Sequence, residues 1–189
     1  MKVTETPIQG LHIFEPAVYK DDRGLFYESW REQEYRDYGI QETFLQDNIS
    51  VSYKNVLRGL HYQKNQGQLV SVIQGHIFDV AVDMRPHSPT FKKYFSLELS
   101  SDNPQQLYMT PGFAHGFYVL SDKVVMSYKC TQYYNSACES GIIWNDPELA
   151  IKWPLAGNPI ISKKDSLFIP ISLNVFFKDS LRNTSISYE

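Results

Sequence analysis

Apolar and polar residues alternate with a period of two through the middle of the chain. In HIFDVAVDM, residues 76–84, the even-numbered positions from Phe78 to Met84 are apolar, whereas the odd-numbered positions include Asp79 and Asp83. This alternation predicts a β-strand, and the Gln-Gly junction that joins it to the preceding apolar run predicts a tight hairpin. Further strand-like runs, separated by short connectors rich in Gly, Pro and Asn, predict an all-β sandwich or barrel. These runs are residues 69–75, 94–100, 105–110, 116–121 and 124–131.

One segment has a helical pattern. In SWREQEYRDYG, residues 29–39, Ser29 and Glu32 have the spacing of a capping box, and Gly39 is a typical helix stop. Neither a linker nor an internal repeat interrupts the chain, so we expect residues 1–189 to form a single domain with minor helix. The tail, about residues 166–189, is apolar in its middle, and we expect it to pack on the body or on a partner subunit.

The composition is that of a soluble protein, and its charge limits the classes of binding partner. There are 18 Lys and Arg against 21 Asp and Glu, a net charge of −3, and no basic block, which argues against nucleic acid or an anionic membrane as partner. The N-terminus lacks a signal-peptide core, and no apolar stretch is long enough to span a membrane. The two cysteines, Cys130 and Cys138, offer no disulfide framework, so we expect free thiols and a cytoplasmic protein.

The stretch LRGLHYQ, residues 57–63, places Arg58 and His61 three positions apart in a strand-like run. His115 lies in TPGFAHGF, where a turn holds it beside aromatic residues. For each of these two histidines taken alone, a satisfied core residue is the favoured interpretation. The remaining histidines are expected to be structural or to lie on the surface, and these are His12, His76 and His87.

Two kinds of chemistry fit the histidines. A mononuclear metal site needs three or four ligands, and the position two residues after His61 is Gln63, so we expect no metal. Metal-free proton transfer needs a histidine base, an acid on the opposite side and a carboxylate that orients the base. On spacing alone the carboxylate could be Asp79, Asp83 or Asp165, and the first two could simply be solvated.

A series of motifs in fixed order makes the sequence similar to a known family. The motifs are DDRGLFYESW (21–30), FLQDNIS (44–50), VLRGLHYQ (56–63), IFDVAVDMRPHSPTF (77–91), PGFAHGFYVLS (111–121), YKCTQYY (128–134), IIWNDPELAIKWP (142–154) and SKKD (162–165). They resemble the dTDP-4-dehydrorhamnose 3,5-epimerases of the cupin superfamily over roughly residues 2–166. The resemblance implies a homodimeric cupin jelly roll that epimerises a nucleotide-linked 4-keto-6-deoxyhexose without metal or organic cofactor, as in deoxysugar and O-antigen biosynthesis.

The resemblance also implies roles for individual residues. His61 matches the family's general base, Tyr128 the acid on the opposite face, and Asp165 the carboxylate paired with the histidine. Arg58 matches an arginine of the sugar–diphosphate pocket, where its guanidinium suits phosphate. The further residues that match substrate contacts are Arg23, Glu28, Gln46, Asp47, Asn48, Gln68, His115, Tyr133 (the ring on which the base stacks), Glu139 and Lys164. In the family, the segment of Arg23 and Glu28 reaches the partner subunit's site.

One position departs from the family pattern. The family has a lysine where this chain has Gln68, and Lys64 on a shortened loop is a candidate replacement. Since a neutral amide stabilises developing charge less than an ammonium group, we expect altered regiochemistry, with inversion at C3 or C5 only. A CDP-linked 3,6-dideoxy-4-ketohexose inverted at C5 is the alternative substrate. Rival classes are a metal-dependent cupin and a nucleotide-sugar-binding protein without catalysis. The sequence leaves the nucleotide open among dTDP, CDP and GDP.

Overall fold

The computed structural model describes residues 1–174. Strands dominate it, and the only helical elements in this range are one short α-helix and one turn of 3₁₀-helix. The elements are β1 Lys2–Glu5, β2 Leu11–Glu15, β3 Val18–Asp21, β4 Gly24–Tyr27, α1 Glu32–Asp37, β5 Gln46–Tyr53, β6 Leu57–Gln63, β7 Gln68–Gln74, β8 His76–Asp83, β9 Tyr94–Ser100, β10 Gln106–Met109, β11 Phe113–Val119, β12 Lys123–Cys130, β13 Glu139–Gly141 and the 3₁₀ turn Asp165–Leu167.

Two antiparallel sheets form the body of the fold. The six-stranded sheet has the order β1-β2-β10-β7-β12-β5, and the five-stranded sheet has the order β13-β6-β11-β8-β9. Strands β3 and β4 form a separate two-stranded hairpin. Sequential strands repeatedly cross from one sheet to the other, as in a jelly roll. The predicted all-β cupin jelly roll with minor helix is therefore confirmed.

The five-stranded sheet is buried on both faces, because the alternation in β8 supplies apolar side chains to each. Ile77 and Ala81 join a core cluster that draws residues from both sheets, including Val70 and Phe117. Residues on the opposite face of the same strand join a second cluster with residues from the chain after β13. The fully or almost fully buried members of this second cluster are Leu60, Tyr62, Val80, Val82, Met84, Ala114, Ile142, Leu149 and Ile171.

The predicted hairpin at the Gln-Gly junction is wrong. Strand β7 pairs with β10 and β12, whereas β8 pairs with β9 and β11, so the chain changes sheet at Gly75. Gly75 has φ +90°, and a Cβ there would lie 2.2 Å from the Lys123 carbonyl oxygen. The glycine thus permits a tight crossing between two sheets, because only glycine combines positive φ with so little space.

The predicted helix is present but its capping box is not. Helix α1 begins after Arg31, which makes no side-chain cap bond, and Ser29 lies outside the helix, where its carbonyl accepts hydrogen bonds from Gln106 and Tyr35. Burial of the Tyr35 ring, which is 1% exposed, fixes the helix more strongly than local capping does. The stop at Gly39 is confirmed, since this residue has φ +98° immediately after the helix.

Only the first part of the predicted tail lies within the described residues. Within residues 166–174, Ile171 is buried in the cluster on the outer face of the five-stranded sheet, and residues 175–189 lie outside the described range. No helix within residues 1–174 has the length and apolar character needed to cross a membrane.

Candidate active site

Two adjoining cavities open between the sheets. The larger, called here the main cavity, has a volume of about 460 Å³. The smaller, called the side cavity, has a volume of about 120 Å³, and His61, Gln68 and Tyr128 line both. The main cavity is otherwise lined by Gln46, Asn48, Tyr62, Gln63, Gln66, Phe113, Cys130, Tyr134, Glu139 and Lys164. The side cavity is otherwise lined by Ser50, Arg58, His115, Gly116, Phe117 and Met126.

His61 is held by a carboxylate 104 positions away along the chain. Its Nε2 lies 3.0 Å from Oδ1 of Asp165, and the other carboxylate oxygen accepts a hydrogen bond of 3.0 Å from the Gly59 N–H. Asp165 is buried, while the imidazole is 40% exposed toward the cavity. Burial opposes ionisation of Asp165, but the bonds from His61 and Gly59 outweigh it and hold the pKa of the carboxyl below its ordinary value.

Tyr128 faces this pair from the other sheet. It lies on β12 of the six-stranded sheet, whereas His61 lies on β6 of the five-stranded sheet. Burial raises the pKa of Tyr128, with a further rise from Cys130 and an opposing effect from the Arg58 guanidinium. The phenol is therefore protonated at neutral pH and can donate a proton.

A register shift explains why Arg58 and His61 reach the same cavity. Side chains three positions apart in a regular strand point to opposite faces. Between β6 and β11, however, His61 pairs with His115 while Arg58 pairs with Phe117, so three steps on β6 oppose two on β11. The extra residue turns Arg58 back toward the side cavity, where its Nε donates to the Ser52 hydroxyl at 2.9 Å.

His115 belongs to a second buried pair. Its Nε2 lies 2.8 Å from Oδ1 of Asp79, which is fully buried, and Oδ2 of that carboxylate has no hydrogen-bond partner within residues 1–174. Asp83 is also fully buried and bonds Arg85, among other donors. The expectation that both aspartates could be merely solvated is therefore wrong, because this face of β8 is covered by the other sheet.

Carboxamides make up one wall of the main cavity. Gln68 donates from Nε2 to Oε1 of Gln66 at 3.0 Å, and its own buried Oε1 has no partner among the described residues. Gln46 donates to Oδ1 of Asn48 at 2.9 Å. These neutral groups can both donate and accept hydrogen bonds, which suits the hydroxyl and carbonyl oxygens of a polar ligand.

Glu139 and Lys164 form an ion pair at the mouth of the main cavity. Glu139 also accepts a hydrogen bond from the Tyr134 hydroxyl at 2.7 Å. Burial opposes the charge of both members, but their mutual bond outweighs it, so the pKa of Glu139 is lowered and that of Lys164 is raised. Lys164 therefore stays cationic beside the catalytic histidine candidate.

Asp47 does not lie in either cavity, although its neighbours do. Strand β5 alternates, so Gln46 and Asn48 face inward and Asp47 faces outward. There it forms an ion pair with Lys129 at 2.9 Å. The resemblance predicts three consecutive contacts in this motif, whereas a strand presents only every second side chain to one face.

Arg23 and Glu28 also lie away from the cavities of their own chain. Arg23 pairs with Asp21 on the exposed β3–β4 hairpin, and Glu28 pairs with Arg31 beyond it. Their predicted contacts with substrate therefore depend on a partner subunit.

Of the two tyrosines at positions 133 and 134, Tyr134 lines the main cavity, whereas the predicted ring, Tyr133, does not. The Tyr133 ring is 67% exposed and does not contribute to the described cavity linings, whereas Tyr134 does. Tyr134, Gln63 and Gln66 were missed from the sequence, although the second tyrosine of YKCTQYY was a visible alternative. Lys64 is exposed on its turn and is likewise absent from the linings formed by residues 1–174.

Within the described range, no three side chains of the His, Cys, Asp and Glu types cluster in a way that could hold a metal ion.

The chain is similar to known proteins of one family over most of its length. The profile of the dTDP-4-dehydrorhamnose 3,5-epimerase family matches residues 5–172. The enzyme of that name from Escherichia coli is 48% identical over 169 residues, which cover 87% of this chain and 91% of the relative. A dTDP-6-deoxy-D-glucose-3,5-epimerase from Legionella pneumophila, solved with dTDP-4-keto-L-rhamnose, superposes with a TM-score of 0.90 at 47% identity, covering 93% of this chain and 96% of that one. A 3′-monoepimerase from Streptomyces bikiniensis, solved with dTDP-quinovose, has a TM-score of 0.85 at 26% identity, with 94% coverage of both chains.

The fold, the cavity and these likenesses together define a carbohydrate epimerase of the cupin type, which is an isomerase. The chain belongs to the dTDP-4-dehydrorhamnose 3,5-epimerase family.

Proposed function

We propose that this protein inverts both C3 and C5 of a dTDP-linked 4-dehydro-6-deoxyhexose, the 3,5-epimerase reaction of dTDP-rhamnose biosynthesis. The observation that carries the proposal is the arrangement of His61 and Tyr128, which enter the same cavity from different sheets. Inversion beside a ketone requires removal of a proton from one face of the sugar ring and delivery of a proton to the other. The reaction is redox-neutral and needs no cofactor.

His61 is the base in this proposal. If Nε2–H donates to Asp165, the imidazole is held in the tautomer that leaves the Nδ1 lone pair free for the substrate. The C–H bond breaks, its proton moves to Nδ1, and its electron pair delocalises onto the C4 oxygen as an enolate. The Asp165 carboxylate stabilises the imidazolium that results.

Tyr128 is the acid that completes the inversion. As the enolate collapses to the ketone, the carbon accepts the phenolic proton from the opposite face. The tyrosinate and the imidazolium then return to their starting states by proton exchange with solvent, so atoms and charge balance over the cycle. Positioned acid–base groups of this kind contribute about 10²–10⁴-fold each to the rate.

Gln68 supplies a neutral hydrogen-bond donor for the C4 oxygen, in place of the lysine of the family pattern. It lines the wall that both cavities share, and its Nε2–H is at present given to Gln66. Because the amide nitrogen carries two N–H groups, a substrate oxygen can accept from the second or replace Gln66 as acceptor of the first. The Arg58 guanidinium and the Lys164 ammonium are the cationic groups in the described cavity linings that suit the diphosphate.

The comparisons favour double inversion of a dTDP-sugar over the altered regiochemistry expected from Gln68. The relatives at 47–48% identity carry the 3,5-epimerase name, whereas the monoepimerase is only 26% identical. A CDP-linked substrate inverted at C5 alone has no support among these likenesses. A neutral donor at position 68 is therefore proposed to be compatible with the double reaction.

Solvent deuterium exchange tests the proposal directly. The protein is incubated with dTDP-4-dehydro-6-deoxyglucose in heavy water, and ¹H NMR follows C3 and C5. We expect deuterium and inversion at both carbons. His61→Asn should lower exchange at both carbons by at least about 10³-fold, because no base remains. Tyr128→Phe should retain exchange on the base side but slow inversion, because the opposite-face donor is missing.

Several outcomes would contradict the proposal. Exchange at one carbon only would assign a monoepimerase, and binding without any deuterium uptake would assign a non-catalytic nucleotide-sugar-binding protein. Activity that is lost with chelators and restored by a metal ion would assign a metal-dependent cupin. Full activity of a folded His61→Asn variant would remove the proposed base.

A homodimer forms part of the proposal, because the predicted substrate contacts Arg23 and Glu28 lie away from both cavities of their own chain. The β3–β4 hairpin exposes Tyr19 and Phe26, each 66% exposed, around Arg23. Such apolar exposure suits a partner surface, and the family places this segment in the partner's site. Light scattering should give a dimer for the wild type, and Phe26→Asp should weaken it. A monomeric, fully active wild type would contradict this arrangement.

The proposed location is the cytoplasm, with residues 1–189 forming one domain. Cys130 and Cys138 are both free, which is consistent with a reducing compartment.

A further inference from the structure

Residues 165–174 are called here the strap. They fold back across strand β13 and the segment that follows it. The Ile143 N–H donates to the Ile169 carbonyl at 3.3 Å, and the Ile171 N–H donates to a carboxylate oxygen of Asp146 at 2.7 Å. At its end, Asn174 donates to the Gly141 carbonyl at 3.0 Å. Backbone and side-chain bonds thus fix the strap at several points along β13, the edge strand of the sheet that carries His61, and along the segment after it.

Phe168 seats this strap on Gly141. A Cβ on Gly141 would lie 2.3 Å from two carbon atoms of the Phe168 ring, so no larger residue fits under the ring in this position. Gly141 does not have the left-handed φ that would itself demand glycine. The glycine is therefore required for the close approach of the ring, rather than for its backbone conformation.

The same ring contacts the imidazole of His61. Gly141 is directly opposite His61 in the β13–β6 register. The Phe168 and His61 ring centroids are 5.8 Å apart with an interplanar angle of 78°, an edge-to-face contact. Directly opposite residues of an antiparallel pair project to the same face of the sheet, so the ring lies beside the imidazole on that face, although Phe168 is not among the cavity-lining residues.

Phe168 is also tied to Asp165 by one helical turn. Its N–H donates to the Asp165 carbonyl at 3.2 Å and closes the 3₁₀ turn whose first residue is Asp165. The carboxylate of Asp165 is held at its other side by the Gly59 N–H. This single turn therefore connects the ring directly to the residue whose carboxylate lies against Nε2 of His61.

From this geometry we propose that Phe168 is a positioning residue: its seating on Gly141 holds the Asp165 carboxylate against Nε2 of His61 and fixes the imidazole plane. The inference rests on the proposed function, in which His61 is the base. It assigns a catalytic consequence to an apolar contact outside the cavity, because a small displacement of a catalytic group costs much of its rate.

The test compares Phe168→Ala with Leu167→Ala. Leu167 is the neighbouring residue in the same turn and is 72% exposed, so it is a matched control for shortening the strap's side chains. We expect Phe168→Ala to lower kcat by about tenfold or more with KM within about threefold, because the base is displaced but the cavity lining is not. Leu167→Ala should leave both constants unchanged. If Phe168→Ala does not fold, Phe168→Leu keeps apolar volume and should show a smaller loss of the same kind.

A second pair of variants distinguishes a positioning role of Phe168 from a purely structural one. Gly141→Ala should lower both the melting temperature and kcat, because the new methyl group displaces the ring. Gly141→Ala/Phe168→Ala should regain melting temperature but keep the low kcat of Phe168→Ala, because the clash is relieved while the seating remains absent. A merely structural role predicts instead that kcat recovers together with stability.

A spectroscopic measurement needs no substrate. In ¹⁵N-edited NMR the His61 Nε2–H proton, bonded to Asp165, should resonate downfield in the wild type and in Leu167→Ala, and be lost by exchange in Phe168→Ala. Retention of that resonance in Phe168→Ala, or a kcat within about twofold of the wild type, would overturn the inference. A wild type without epimerase activity would instead defeat the proposed function, and the resonance would still decide the role of Phe168.

Discussion

Two histidine–carboxylate pairs have the same N–O distance but very different burial. This difference in burial predicts very different contributions to stability. His115 lies 2.8 Å from Asp79, and His76 lies 2.8 Å from Glu98. The side chains of the first pair are 11% and 0% exposed, whereas those of the second are 38% and 60% exposed. Replacing each histidine by alanine therefore removes a contact of the same length from two different environments.

The expected cost of His115→Ala follows from the bonds of Asp79. The imidazole is the hydrogen-bond partner of Oδ1, and Oδ2 has no partner within residues 1–174, so the variant leaves a buried carboxylate without a side-chain donor. Breaking a buried pair in this way costs about 3 kcal/mol. At about 2–4 °C per kcal/mol for a chain of this size, the melting temperature should fall by about 6–12 °C. His76→Ala should cost no more than about 0.5 kcal/mol, because water replaces the lost contact.

Thermal and urea unfolding at neutral pH and one fixed protein concentration measure both values, since a dimer makes the melting temperature depend on concentration. The double variant Asp79→Asn/His115→Ala should be more stable than His115→Ala, because it removes the stranded charge. Equal losses for His115→Ala and His76→Ala, or a double variant no better than the single one, would refute the argument that burial of the Asp79 charge sets the cost.

Two further predictions concern the carboxylate that pairs with His61 and a glycine on the same strand as His61. The folded-state pKa of Asp165 lies below its ordinary value of 3.8, so its contribution to stability is complete above that value and is lost as the pH falls through the lowered pKa. The wild type should therefore lose more unfolding free energy than Asp165→Asn between pH 6 and pH 3 in urea titrations, and equal losses would contradict this linkage. Gly59→Ala should cost about 3 kcal/mol and lower kcat, because its Cβ would lie 2.7 Å from Gly116 Cα and from the His115 carbonyl oxygen. Gly24→Ala, also at positive φ but with nothing within 4 Å, should cost only about 1 kcal/mol, and a similar cost at both sites would show that crowding at Gly59 is unimportant.

Local patterns located the strands from β6 to β12 well, but they did not identify β1 to β5 or β13, and they predicted strand partners poorly. The alternation in residues 76–84 identified β8, Gly39 marked the end of α1, and the bounds of the predicted strands differ from the observed ones by at most about three residues. The Gln-Gly junction was a genuine turn, but whether a turn makes a hairpin depends on which sheet accepts the next strand. That choice is made by long-range pairing of β8 with β11, which no local pattern encodes.

The placement of the site residues was likewise partly predictable from local patterns and partly not. The separation of Asp47 from Gln46 and Asn48 followed from strand alternation and could have been read from the sequence. The pairing of His61 with Asp165 could not, because 104 residues separate them and two other aspartates were equally plausible by spacing. The motif resemblance proposed this pair, and the structure brings the two side chains together. The catalytic roles remain to be tested by the variants above.

The jelly roll offers a physical reason why base and acid can act from opposite sides of a planar enolate. A single sheet presents neighbouring side chains in parallel, so two residues of one sheet approach a ligand from the same side. Here His61 comes from the five-stranded sheet and Tyr128 from the six-stranded sheet, and the cavity between them is the gap that stacked sheets leave where apolar packing ends. The second apolar cluster packs on the other face of the sheet that carries His61, and the Phe168 ring contacts the imidazole edge-to-face, so the proposed base is held on its own wall of the cavity. The proposed inversion then needs only a sugar ring that fits between the two walls.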